Sequence, residues 1–187
     1  MKKYSPTKIN STSPGFTLLE MLFAVIIFSF ALISLMGIAS KGVIATATAR
    51  DQLTAEYLAE EGLEVGRNMR DSNFLNYLSN TTWLNEIEGC TKTLPCDVTF
   101  STPPKLTNVT QGTILYKSDS GVYRRIDDNG TGEPTTFWRE VYLDDTEPGM
   151  PNNQKKMVAT VHWKQKAFDR TFTVQTYLSD WQSPTTP

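Results

Sequence analysis

Hydrophobic and polar positions follow three different patterns along this chain. Residues 21–40, MLFAVIIFSFALISLMGIAS, contain no charged side chain, and eleven of the twenty are Leu, Ile, Phe or Val. As a helix this run rises about 30 Å, the thickness of a bilayer's hydrocarbon core. After Ser40 the pattern becomes amphipathic: Leu53, Leu58, Gly62, Val65 and Met69 recur at near-helical spacing, with Arg50, Glu56, Glu60, Glu61, Glu64 and Arg67 between them. No proline falls between Phe16 and Arg70. The reading is one helix of about 55 residues, roughly 80 Å long, or two helices joined near Lys41-Gly42, since Gly37 and Gly42 permit bending.

Beyond Asp71 the sequence turns loop-like, with short helical stretches predicted at 74–78 and 82–87. Period-two alternation then takes over. Residues 113–117, a Ser118-Asp119-Ser120-Gly121 turn and residues 122–126 read as a hairpin, and 136–143 as a third strand. In 157–163, Met157, Ala159, Val161 and Trp163 share one face, and 170–178 repeats the alternation through Phe172, Val174 and Leu178. These segments predict an antiparallel sheet whose strand order the sequence does not reveal. Folded against the amphipathic part of the helix, it makes an α+β head.

Composition sharpens this division. In 187 residues there is room for one ordinary domain and an additional element. The formal charge of −2 provides no field to attract nucleic acid. The first fifteen residues carry Lys2, Lys3 and Lys8 and no acid, so their removal would take the charge to −5. Those lysines hold the N-terminal end in the cytoplasm by the positive-inside rule and direct the rest outward. The eleven large apolar residues of 21–40 favour insertion by about 3 to 7 kcal/mol, which Glu20 at the boundary does not cancel. A secretory signal peptide competes with the uncleaved anchor, because cleavage near Ser40 or after Ala45-Thr46-Ala47 would leave a secreted or anchored binding domain. Its n-region would be unusual, being long, containing Pro6 and Pro14, and ending in an acid.

That acid is the question. Thr17-Leu18-Leu19-Glu20 fits the capping box, with Thr17 as N-cap and Glu20 folding back to the Thr17 amide, worth about 1 kcal/mol. The negative charge also suits the positive helix end. Capping does not explain the preceding Ser13-Pro14-Gly15-Phe16, where proline favours an extended, protease-accessible backbone.

Gly15-Phe16-Thr17-Leu18-Leu19-Glu20, followed by an apolar helix, resembles the processing signature of type IV prepilins and type II secretion pseudopilins. The resemblance implies a long N-terminal helix packed on a small antiparallel sheet. It also implies cleavage after Gly15 by a prepilin peptidase on the cytoplasmic side, methylation of the new amine of Phe16, and retention of the apolar segment. Glu20, at the fifth mature position, would pair with the N-terminal amine of a neighbouring subunit. Such a pair about 4 Å apart attracts by roughly 4 kcal/mol at an effective dielectric near 20. The implied partners are the peptidase, other pilin or pseudopilin subunits, membrane lipid before assembly and an inner-membrane assembly platform. The implied organisation is a leader at 1–15, an assembly helix at 16–40, its amphipathic continuation at 41–71 and a head at 72–187. The ending at 158–163 and 170–181 is similar to minor pilins and minor pseudopilins whose heads finish in a tryptophan-bearing strand pair. Glu20 distinguishes the chain from the one tip-type pseudopilin that usually lacks this acid.

Other candidate chemistry is sparse. Cys90 and Cys96 are the only cysteines, and an exported head is where such a pair oxidises. Zinc would need more ligands than two thiols and the single His162 supply, which leaves a disulfide or two free thiols. Residues 127–133 (DDNGTGE) are rich in oxygen donors, and calcium stabilises loops in some heads of the resembled family. Position twelve from Asp127 is Trp138, however, so the EF-hand pattern fails and a solvated Asn-Gly turn is expected. His162 falls on the polar face of its strand with Lys164, as a surface residue. Asn80, Asn108 and Asn129 begin glycosylation triplets to which no role is assigned. Arg124-Arg125 and Lys155-Lys156 read as solvated strand edges, relevant only if the machine takes up DNA. No phosphate loop or paired catalytic carboxylates emerge, so neither an enzyme nor a cofactor is expected.

Overall fold

In the computed structural model, the described residues are 15–75, 82–125, 132–146 and 148–181. The chain divides into two compact units, Met1–Ala47 and Thr48–Pro187. One helix, α1 (Leu18–Leu75), contributes to both, and neither Gly37 nor Gly42 ends it. Among the described residues eight strands follow: β1 (Cys96–Thr99), β2 (Lys105–Asn108), β3 (Tyr116–Lys117), β4 (Tyr123–Arg124), β5 (Glu133–Pro134), β6 (Phe137–Asp144), β7 (Gln154–Gln165) and β8 (Phe168–Ser179). They form a five-stranded sheet in the order β2-β1-β6-β7-β8 and a three-stranded sheet in the order β4-β3-β5, with every strand pair antiparallel. The architecture is α+β, a long helix packed on an antiparallel sheet, as in type IV pilins.

The helix is fastened by small residues. Its buried positions are Ala55, Leu58, Ala59, Gly62, Leu63, Gly66, Met69 and Phe74. Leu58, Gly62 and Met69 of the predicted stripe are buried and Val65 packs against the core, but Leu53 is 53% exposed, because the contact face is set by where the sheet can approach closely. A Cβ on Gly62 would stand 2.7 Å from the Val141 side chain, and one on Gly66 would collide with Met157. The sheet supplies the complementary face through Val141, Met157, Ala159, Val161 and Leu178, each fully buried. Burying a side chain such as Val161 or Leu178 contributes about 1.5 to 3 kcal/mol. The predicted inward residues of β7 are buried and those of β8 are buried or packed on the core, but Val158 and Thr160 between them are buried too.

Four expectations need correction. Residues 82–87 form successive turns, Asn85 N–H bonding Thr82 O and Ile87 N–H bonding Leu84 O, instead of a helix; Leu84 and Ile87 are pulled into the core at a spacing that an exposed helix does not require. The hairpin at 113–126 exists as β3 and β4, turned at Gly121 with φ +83°, but the strand at 136–143 joins the other sheet, as β6. Arg125 is 6% exposed and donates to the Thr99 hydroxyl, and Arg124 lies over the Phe100 ring. Lys155 and Lys156 pair with Asp145 and Asp144. These four cations are held by contacts within the head and are not a solvated edge.

Cys90 and Cys96 form a disulfide, so the free-thiol alternative is excluded. The bond closes a loop with a sequence separation of 6, worth about 2 kcal/mol on the chain-entropy model. Asn108 donates to the Gly89 and Leu94 carbonyls beside it, so its amide works in the fold. His162 is half-buried and stacked on Trp138 at 5.0 Å with the rings nearly parallel. Asn80, Asn129 and residues 127–131 lie outside the described residues.

Candidate processing and assembly site

Gly15, Phe16 and Thr17 precede the first helical residue and are exposed. Apart from its chain neighbours, no atom of the described residues lies within 4 Å of where a Gly15 Cβ would be, and Phe16 is 75% exposed, so the described residues leave the Gly15-Phe16 bond open. Residues 1–14 of the expected leader lie outside the described residues. Thr17 is the N-cap: its hydroxyl accepts from the Glu20 N–H at 3.2 Å and its carbonyl from the Met21 N–H at 3.2 Å. The reciprocal half of the capping box is not made. Among the described residues the exposed Glu20 carboxylate has no partner, so the cap depends on the Glu20 backbone and Thr17, not on the Glu20 side chain.

The segment that follows is long and apolar enough to cross a membrane, and its apolar stretch is exposed. Two of its hydroxyls are satisfied locally. Ser29 donates to the Val25 carbonyl and Ser34 to that of Phe30, which removes their cost in a lipid environment. Among the described residues, Glu20 is thus the one acidic side chain at the head of a wholly exposed apolar surface. The site consists of an open bond, a capped helix start, an unpaired carboxylate and an apolar face without cover.

The head contains a second constellation, which the sequence reading missed. Arg139, on β6, is 2% exposed and Asp97, on β1, is 1% exposed. The Arg139 Nε donates to Asp97 Oδ1, and its Nη1 donates to Glu61 Oε2 at 2.6 Å and to the Leu58 carbonyl at 2.8 Å. Burial by itself disfavours the charged guanidinium, but the Asp97 and Glu61 carboxylates outweigh it and hold its pKa above the ordinary value. One buried cation therefore ties α1 to two strands. The signal available in the sequence was an arginine at an inward position of the alternating strand Phe137-Trp138-Arg139-Glu140-Val141, where an apolar residue is the norm. Trp181, although 64% exposed, packs on Phe74 of α1 with ring centroids 4.8 Å apart.

Fold and sequence together define an α+β protein with a helix able to span a membrane and a disulfide-bonded, β-rich head. No family model, curated protein or solved structure matches the chain.

Proposed function

We propose that the chain is a subunit of a type IV filament, a minor pilin or pseudopilin, which waits in the cytoplasmic membrane with its head outside and is then built into the filament by helix packing. A prepilin peptidase cuts between Gly15 and Phe16 and methylates the Phe16 amine. Glu20 then pairs with the N-terminal amine of a neighbouring subunit and sets the register, while apolar contacts between helices supply most of the adhesion. The role is structural, not catalytic.

The observation that carries this reading is the unpartnered Glu20 carboxylate at the head of a completely exposed apolar helix surface. A cap would leave that carboxylate engaged with its own helix, and a cleaved signal peptide has no need of it. The open Gly15-Phe16 bond supports processing at that point.

Intact-mass and peptide mass spectrometry of the mature protein tests the proposal. A chain beginning at N-methylated Phe16 is expected. A mature N-terminus beyond Ser40 would instead make the protein a secreted or anchored binding domain released by signal peptidase, and would remove the assembly helix.

A further inference from the structure

The β7–β8 hairpin closes through a two-residue turn, Lys166-Ala167, between the register partners Gln165 and Phe168. Lys166 has φ 56°, in the left-handed region where glycine would avoid the penalty of a Cβ. A lysine placed there against backbone preference points to a use for its side chain. Around it Lys164 and Arg170 are also exposed, Phe168 is 69% exposed, and Asp169 is the one acid in 164–170. The tip is fixed in place, because the Gln165 side-chain amide donates to the Thr48 hydroxyl of α1 at 2.8 Å. Thr48 lies eight residues beyond the end of the uncharged run 21–40, a length of chain that reaches at most about 28 Å even fully extended.

We infer that this hairpin tip is a membrane foot. Lys164, Lys166 and Arg170 meet the phosphates of anionic phospholipid headgroups on the leaflet where the helix emerges, and Phe168 enters the interface beside them. The inference rests on the reading that the apolar run lies in lipid, which puts the tip within chain reach of a surface. Charge complementarity selects that surface: the tip carries three cations against one acid in a chain whose formal charge is −2. Each basic side chain near an anionic leaflet strengthens attachment about fivefold, and an exposed aromatic ring adds apolar burial at the headgroup level. The foot would hold the head against the membrane until the subunit is drawn into a filament.

The test uses the full chain. Both native cysteines are in the disulfide, so Phe168→Cys introduces a single free thiol for an environment-sensitive fluorophore. The labelled protein is reconstituted into phosphatidylcholine vesicles with and without phosphatidylglycerol, and flotation is measured in parallel. Flotation with both lipids is expected, together with blue-shifted emission and quenching by headgroup-level nitroxide lipid in the anionic vesicles only. Adding Lys164→Glu and Lys166→Glu should weaken that quenching at least about fivefold. Flotation with water-like emission in anionic vesicles overturns the foot and leaves the anchor standing, as does equal shielding in both lipids. A chain that floats with neither overturns both readings.

Discussion

The two parts of α1 solve opposite problems within one helix. After Thr48 its contact face sets small residues, Ala55, Ala59, Gly62 and Gly66, among the buried large ones Leu58, Leu63, Met69 and Phe74, and a sheet from the same chain fills the space the small ones leave. Before Ala47 the side chains are large, Leu, Ile, Phe and Val, and they are exposed; a Cβ on Gly37 or Gly42 would meet nothing within 4 Å. The same contrast holds for charge. Glu61 is answered by Arg139 from within the fold, whereas Glu20 has no answer among the described residues. Where a helix is covered by its own chain, small residues and buried ion pairs record the partner in the sequence. Where large apolar residues and a lone carboxylate remain open, no described residue covers them, and the proposed function assigns that cover to lipid first and then to neighbouring subunits.

The strongest way to break this comparison is to remove the internal answer. Arg139→Ala leaves Asp97 buried without its cation and should destabilise the head by about 3 to 5 kcal/mol, read from denaturant unfolding of the detergent-solubilised full chain by tryptophan fluorescence. Replacing the pair by Arg139→Met with Asp97→Leu should restore much of that loss, since packed apolar residues substitute well for a buried ion pair. Next in size, Gly62→Leu should cost about 1 to 3 kcal/mol by overpacking against Val141, while Gly37→Leu should leave the unfolding of the head unchanged. Equal effects at the two glycines would erase the distinction between the covered and open parts of the helix. The smallest effect is pH-dependent. The Thr146 hydroxyl and amide, aided by Lys156, hold the Asp144 carboxyl below its ordinary pKa. Its contribution is present above the unfolded carboxyl's value, near 3.9, and is lost as pH falls through the lower folded value. The stability gap between wild type and Asp144→Asn should therefore be constant at neutral pH and close in acid.

Much of the fold was legible because its signals are long. Fifty-eight residues of helix without a proline and two strands of twelve residues each leave periodicities that no short-range preference overrides. The disulfide was one of two readings of the only two cysteines in a head expected to be exported. Strands β1 and β2 were missed because they are four residues each and polar in large part, as in Lys105-Leu106-Thr107-Asn108. They exist through pairing with each other and with β6, which is tertiary information. The helix face was misjudged at Leu53 for the same reason: spacing shows which residues share a face, but close approach of the sheet decides which face is used, and that approach favoured alanine and glycine. The Arg139 cluster joins residues 61, 97 and 139, separations that no local pattern carries. Of the candidate site, Thr17 caps the helix as its sequence suggests, Gly15 and Phe16 are exposed, and Glu20 differs from the capping box in leaving its carboxylate without a partner among the described residues.

Glu20→Gln provides the most direct measurement, because it removes the charge and keeps the Thr17 cap, which depends on the Glu20 backbone N–H. The variant should be inserted in the membrane and cleaved after Gly15 like the wild type, yet be absent from the sheared filament fraction, as scored by quantitative immunoblotting of both fractions. Incorporation of correctly cleaved Glu20→Gln at wild-type levels would contradict the account, since the carboxylate would then have no part in aligning one subunit on the next.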